Sequence, residues 1–482
     1  MSHVIHHVDC QSGSGTEDGT EKHPWRSLDS INGRRLNPGD AVYFKRGSRS
    51  QGTFRPQGEG TKEKPLVIGA YGDGRPPVLD GNGEPETVLL HNTQWVEVSD
   101  LDITNAAKPG TNNRRGIHVS LENYGTGDHY VLRNLYVHDI MGLDDKGNDN
   151  GDDGSAGILF SVTGKEKRTH FNDVLIENNI VRTVDREGIY FYSAWSDRNA
   201  DWIPATGVVV RGNSLSDIGG DGIVITVADG TLVERNALHG FQLRSAHPNA
   251  GMWPYNADNS VFQYNEVSGG KGTNDAMAYD VDDMTSGTVF QYNYSHDNEG
   301  GFFLVCAEKG VKDAVIRFNI SQNDRFRGIE TCHYSGGQVT GVRFLHNTIY
   351  VGDEIDQVVV NITGAARCDI AFDNNIVVKE GKGTARFQLT GGSALVASHN
   401  VLHNVEDAPA DPGGMTTDPL LARGGTAKDL TDAGQAYALE PGSPAVHAGK
   451  KLPDAGDKDF AGNPLPDATP DIGALNGSSA QK

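Results

Sequence analysis

A short apolar pattern returns along most of the chain. It reads Gly116-Ile117-His118, Gly157-Ile158-Leu159, Gly188-Ile189-Tyr190, Gly222-Ile223-Val224, Gly251-Met252-Trp253, Ala278-Tyr279-Asp280, Phe302-Phe303-Leu304 and Gly328-Ile329-Glu330. Strand side chains alternate between two faces. The middle column is apolar throughout and mostly Ile, so it points into a core. The following column points away from it: His118, Leu159, Tyr190, Val224, Trp253, Asp280, Leu304 and Glu330. Two residues on lies a second outward column, Ser120, Ser161, Tyr192, Thr226, Tyr255, Asp282, Cys306 and Cys332.

A second motif, a short strand built around Asn, accompanies the first. Its members are Asn134, Asn179, Asn213, Asn236, Asn265, Asn293, Asn319, Asn347, Asn375 and Asn400. From Asn236 onward the intervals are 29, 28, 26, 28, 28 and 25 residues, while the earlier 45, 34 and 23 imply loop insertions. Strand-rich repeats of this length predict one solenoid coil per repeat, with the Asn-bearing strands side by side as parallel neighbours. Stacked Asn side chains can bond one another and tolerate left-handed corners. The expected architecture is an all-β solenoid forming a single domain over 1–482. Residues 1–90 supply an N-terminal cap and the first coils, 91–400 the regular coils, and 401–482 a loop-rich C-terminal covering with a disordered tail at Gly477-Ser478-Ser479.

Composition narrows the function classes. The chain has 482 residues, 36% hydrophobic content and 61 Gly, which suits short strands and many turns better than helices. A net charge of −22 argues against nucleic acid and anionic membranes as partners. No apolar run approaches a membrane span. Four scattered cysteines make no disulfide framework, and Cys306 and Cys332 are read as stacked packing residues. No signal peptide is visible, so a cytoplasmic location is expected if the chain is complete. Oligomeric state is left open.

Several stretches resemble the right-handed parallel β-helix proteins of the pectate-lyase-like superfamily. They are Asn37-Pro38-Gly39-Asp40, Ile68-Gly69-Ala70-Tyr71, Tyr292-Asn293-Tyr294-Ser295-His296-Asp297 and Pro470-Asp471-Ile472-Gly473. The resemblance implies a right-handed parallel β-helix acting on carbohydrate. The superfamily includes polysaccharide lyases, glycoside hydrolases and uronate epimerases, and the fold does not choose among them. Of the polygalacturonase-type pattern, Asp282-Asp283 is present but no Gly-His-Gly is found.

The candidate chemistry lies on the outward columns. Asp280 and Asp282 are two apart on one strand, hence on one face and ~7 Å apart. Asp280 and Glu330 share a column two coils apart, about 9–10 Å. Inverting glycosidases separate their carboxyls by about 6.5–9.5 Å to admit water. Asp280 and Asp282 are therefore the expected acid/base pair, with Glu330 or Glu299 as alternative partner. Trp253, Tyr255, Tyr190 and Tyr192 would form a sugar platform, with His118 and Arg327 as further substrate contacts. Three readings follow. The first is a glycoside hydrolase acting on an oligo- or polysaccharide, with no cofactor. The second is a calcium-assisted polysaccharide lyase, in which carboxylates hold the ion and Arg327 neutralises a uronate. The third is a non-catalytic glycan-binding solenoid. The acidic loop Asp144–Asp153 is a further possible calcium site, though its spacing does not fit an EF-hand.

Overall fold

The computed structural model describes residues 3–12, 15–106, 112–144, 154–333, 337–362, 368–389, 394–453 and 455–477. The chain divides into two compact units, Met1–Thr231 with Gln242–His247, and Leu232–Phe241 with Pro248–Lys482. Each is a stretch of right-handed parallel β-helix. The chain winds through three sheets in turn, and the strands of those sheets pair in parallel with their counterparts one coil on.

In the first unit one coil consists of Thr126–Arg133, Tyr136–Ile140 and Ala156–Thr163. These strands pair in parallel with His170–Glu177, Ile180–Val184 and Glu187–Ser193 of the next coil. In the second unit a coil consists of Val261–Gln263, Glu266–Ser268 and Met277–Val281. It pairs likewise with Val289–Gln291, Tyr294–His296 and Gly301–Ala307. The cap strand Ile5–Val8 pairs with Ala41–Lys45, which extends the first sheet of the first unit.

The apolar column falls where its alternation requires. Ile117, Ile158, Ile189 and Ile223 stand in register and are fully buried. Met252, Tyr279, Phe303 and Ile329 do the same in the second unit. Burying a side chain of this size contributes roughly 1.5–3 kcal/mol, so the inward columns dominate the cohesion of the coils.

The asparagines sit at the corner between the first two sheets, not inside a strand as the sequence suggested. From Asn236 to Asn375 each side-chain amide donates to the Oδ1 of the next Asn: Asn265 to Asn293 at 3.0 Å, Asn293 to Asn319 at 2.9 Å, Asn319 to Asn347 at 3.0 Å. The same amides also donate to carbonyls of the preceding coil, such as Asn293 Nδ2 to Phe262 O at 2.9 Å. The preceding residue is left-handed: Tyr264, Tyr292, Phe318 and His346 have φ of 54°, 58°, 50° and 54°. Such geometry costs a non-glycine residue roughly 1–2 kcal/mol. The ladder offsets it, as does stacking of these rings, with Tyr264 and Tyr292 centroids 5.0 Å apart. Asn134 is not a rung: Leu135 N–H occupies that place, donating to Asn179 Oδ1 at 3.0 Å, and Asn134 is the left-handed residue before it.

The C-terminal covering packs on the second sheet of the second unit. Tyr294 Oη donates to Ala427 O at 3.1 Å, and Tyr437 Oη to Gln322 Oε1 at 2.9 Å. Helix Leu430–Ala436, capped by Asp429, buries Ala433 and Ala436 in a cluster with Tyr292, Tyr294, Phe318 and Ile320. The expected disordered tail lies, from Ser478, outside the described residues. Cys306 and Cys332 are register partners on adjacent strands, as expected. Cys306, however, is disulfide-bonded, so it is a cross-link rather than a packing thiol. Among the described residues no helix is long and apolar enough to cross a membrane.

Candidate active site

The strand Met277–Val281 turns Tyr279 inward, where its hydroxyl donates to Asn265 O and Tyr294 O at 3.0 Å each. That anchor sets the direction of Asp280, which faces outward. Met252 stands opposite Tyr279, so Trp253 flanks Asp280 from the preceding coil. Just beyond the strand, Asp282 N–H donates to Pro254 O at 3.2 Å and Asn256 N–H to Asp283 O at 2.9 Å. Tyr255 thereby flanks Asp282. Two carboxylates and two aromatic rings thus come from neighbouring strands onto one face.

Their exposures differ. Trp253, Tyr255 and Asp282 are half-buried. Asp280 is only 5% exposed, where the sequence led us to expect it open to solvent. Its place in the column, between bulky Trp253 and buried Leu304, accounts for the cover. The Asp282 carboxylate is oriented by Asp283 N–H, which donates to its Oδ1 at 2.6 Å. Asp283 is a turn anchor: its Oδ1 accepts the N–H groups of Glu308, Lys309 and Gly310 at 3.0, 2.6 and 2.7 Å. Burial, followed by the charges of Asp282, Asp283 and Glu308, pushes the Tyr255 phenol up to about 12.

The alternative partners are otherwise engaged. Glu330, 6% exposed, pairs through Oε2 with Arg327 Nη1 at 3.0 Å and accepts Asn361 Nδ2 at 2.7 Å. Arg327 also donates from Nη2 to Thr273 O at 3.0 Å. Two of its nitrogens are thus engaged by the protein, while its Nε is buried without a hydrogen-bond partner. Glu299 accepts Gly272 N–H at 2.8 Å and pairs with Lys271 at 2.9 Å, and these contacts hold its carboxyl below the usual range. It clamps the turn of the preceding coil instead of overhanging the face.

The remaining candidates belong to the first unit. Tyr190 and Tyr192 are half-buried and stand in the outward columns, in register with Leu159 and Ser161. His118 is 8% exposed and is not presented to a ligand. Its Nε2 lies 2.8 Å from Ser161 Oγ and its Nδ1 3.3 Å from Glu86 Oε1, which also pairs with Arg115 at 3.1 Å. The order Glu–His–Ser is that of a nucleophile triad, but Ser161 is 1% exposed in mid-strand, so the group acts as a brace. Of the expected acidic calcium loop, residues 145–153 lie outside the described residues, and Asp144 pairs with the buried Arg186 at 3.3 Å. Among the described residues Glu380, His403 and Asp418 hold ligand atoms within 4.8 Å of one another, a grouping that shares no residue with Asp280 and Asp282.

Sequence reasoning missed Asn361 and Asp283 as supports. Asn361 continues the Asp280–Leu304–Glu330 column by one coil, so extending the alignment would have found it. Asp283 carried no signal separating a turn anchor from a second catalytic acid.

The protein family described as "Right handed beta helix region" matches residues 157–349. A lacto-N-biosidase of Bifidobacterium longum subsp. longum is 28% identical over 98% of this chain. The chain spans only 36% of that enzyme's length. The crystal structure of a GH136 lacto-N-biosidase from Eubacterium ramulus superposes with a TM-score of 0.61 at 25% identity, covering 82% of this chain and 68% of the other. A structure of XylC with xylose, at 12% identity and a TM-score of 0.53 over 98% of both chains, shares the fold.

Proposed function

We propose that the protein is a glycoside hydrolase that cleaves an oligosaccharide on the outward face of its second unit, with Asp280 and Asp282 sharing acid and base duties. The observation that carries this reading is the pair itself: two carboxylates two residues apart on one face, flanked in register by Trp253 and Tyr255. Their i, i+2 spacing of ~7 Å leaves room for a water between carboxyl and sugar, as an inverting displacement requires. Asp282, the more open of the two, is placed to activate that water. Asp280, shielded behind Trp253, is placed to hand a proton to the departing glycosidic oxygen. Trp253 and Tyr255 offer ring faces to the sugar.

The whole-chain similarity to lacto-N-biosidases supports hydrolysis over elimination, and makes an oligosaccharide ending in a lacto-N-biose unit the first substrate to try. The test is incubation of the full chain with a panel of oligosaccharides that includes such a substrate. New reducing ends without the ultraviolet absorbance of a new double bond are expected, with no change on adding EDTA. An unsaturated product that requires calcium would establish the lyase chemistry instead, and binding without product a non-catalytic module.

A further inference from the structure

A cleft of about 830 Å³ lies wholly within the first unit, at the corner where the third sheet gives way to the first. The corner loops there lengthen coil by coil, spanning 123–125, 164–169 and 194–204. The longest folds back as a small antiparallel hairpin, pairing Ser196 with Trp202. This overhang sets Trp202 in the cleft wall, with Tyr124, Lys167, His170 and Glu59 among the other lining residues.

We propose that this cleft is an accessory binding site for a neutral pyranose of a glycan chain. The volume is that of a site for a small ligand. A half-buried indole supplies an apolar ring for stacking. Its electron-rich face is already sandwiched on one side by the Arg198 guanidinium, 3.9 Å from the ring centre, which fixes the indole plane. Around it are groups that suit vicinal hydroxyls, which need donors and acceptors together. The Glu59 carboxylate is held by the Tyr124 hydroxyl and by Gln94 Nε2 at 3.3 Å. Lys167 is tethered to the Tyr124 carbonyl and keeps further N–H groups to give. Burial lowers the His170 pKa, so at neutral pH the ring offers one donor and one acceptor. Glu59, Lys167 and Arg168 line the cleft, with Asp201 3.8 Å from Arg168, so a sugar hydroxyl meets acceptors as well as donors there.

The test is calorimetric and tryptophan-fluorescence titration of the full-length protein with lactose, N-acetyllactosamine and maltotriose. Saturable binding of at least one is expected, with a Kd in the range of about 1 mM, weakened at least ~10-fold in Trp202→Ala. Lys167→Ala, which leaves the hairpin intact, should weaken it as well. Trp253→Ala, which removes the ring proposed to bind sugar on the other face, should leave this binding unchanged, which separates the cleft from the proposed catalytic face. Trp202→Ala should leave turnover of a short substrate unchanged. Failure of all three sugars to bind, or undiminished binding in both cleft variants, overturns the proposal.

Discussion

Asp280 lies on the strand Met277–Val281 and Asp282 just past its end, yet one is shielded and the other meets water. Amide replacement keeps shape while removing the titrating proton, so Asp280→Asn and Asp282→Asn should each lower kcat at least ~100-fold, as measured by reducing-end release. Thermal unfolding should hardly move in Asp282→Asn, because that side chain is half-exposed and off the core side of the coil. Trp253→Ala should raise KM more than it lowers kcat if the ring binds ground and transition states alike. Alternation was enough to read the direction of these side chains from sequence. It carries no information about cover or partners, which is why the burial of Asp280 and the engagement of Arg327, His118 and Glu299 came only with the structure. Each of those three has a partner from another coil or loop, Thr273, Glu86 and Gly272 respectively, a contact that no local pattern encodes.

Among elements, the Asn corner is the most exacting. Asn293 Nδ2 gives two hydrogen bonds, and its Oδ1 accepts both the backbone N–H and the amide of Asn265. Asn293→Ala would strand these buried partners, at a cost of roughly 1–3 kcal/mol, read as a lower midpoint in urea with unchanged activity per folded molecule. Periodicity located this ladder to within one residue, missing at Asn134 because a left-handed Asn just before the rung looks the same in sequence as the rung itself. The adjacent strand Tyr294–His296 carries a pH signature. Burial would lower the His296 pKa, but hydrogen bonds from its ring to Asp297 and Glu266 prevail and raise it to about 9. A folded value above the unfolded one near 6.5 means this stabilisation is complete below about pH 6.5. It is lost as pH rises through about 9. Urea midpoints should therefore fall across that window in the wild type, and less so in His296→Asn.

For the molecule as a whole, the repeat spacing and the low apolar content sufficed to identify a parallel β-helix, because each coil buries its inward column only against its neighbours. Reaction class was not legible at that level, since the same face could serve hydrolysis, elimination or binding. A hydrolase that works with two carboxylates should keep its full rate after exhaustive treatment with EDTA, measured on the same substrate before and after. The most direct test of the central claim is mass spectrometry of the products formed in water enriched in heavy oxygen, run beside the Asp280→Asn and Asp282→Asn proteins. One labelled oxygen at the newly formed reducing end, with product all but absent in both variants, is the predicted result. An unsaturated, unlabelled product, or near-normal turnover in both variants, would contradict it.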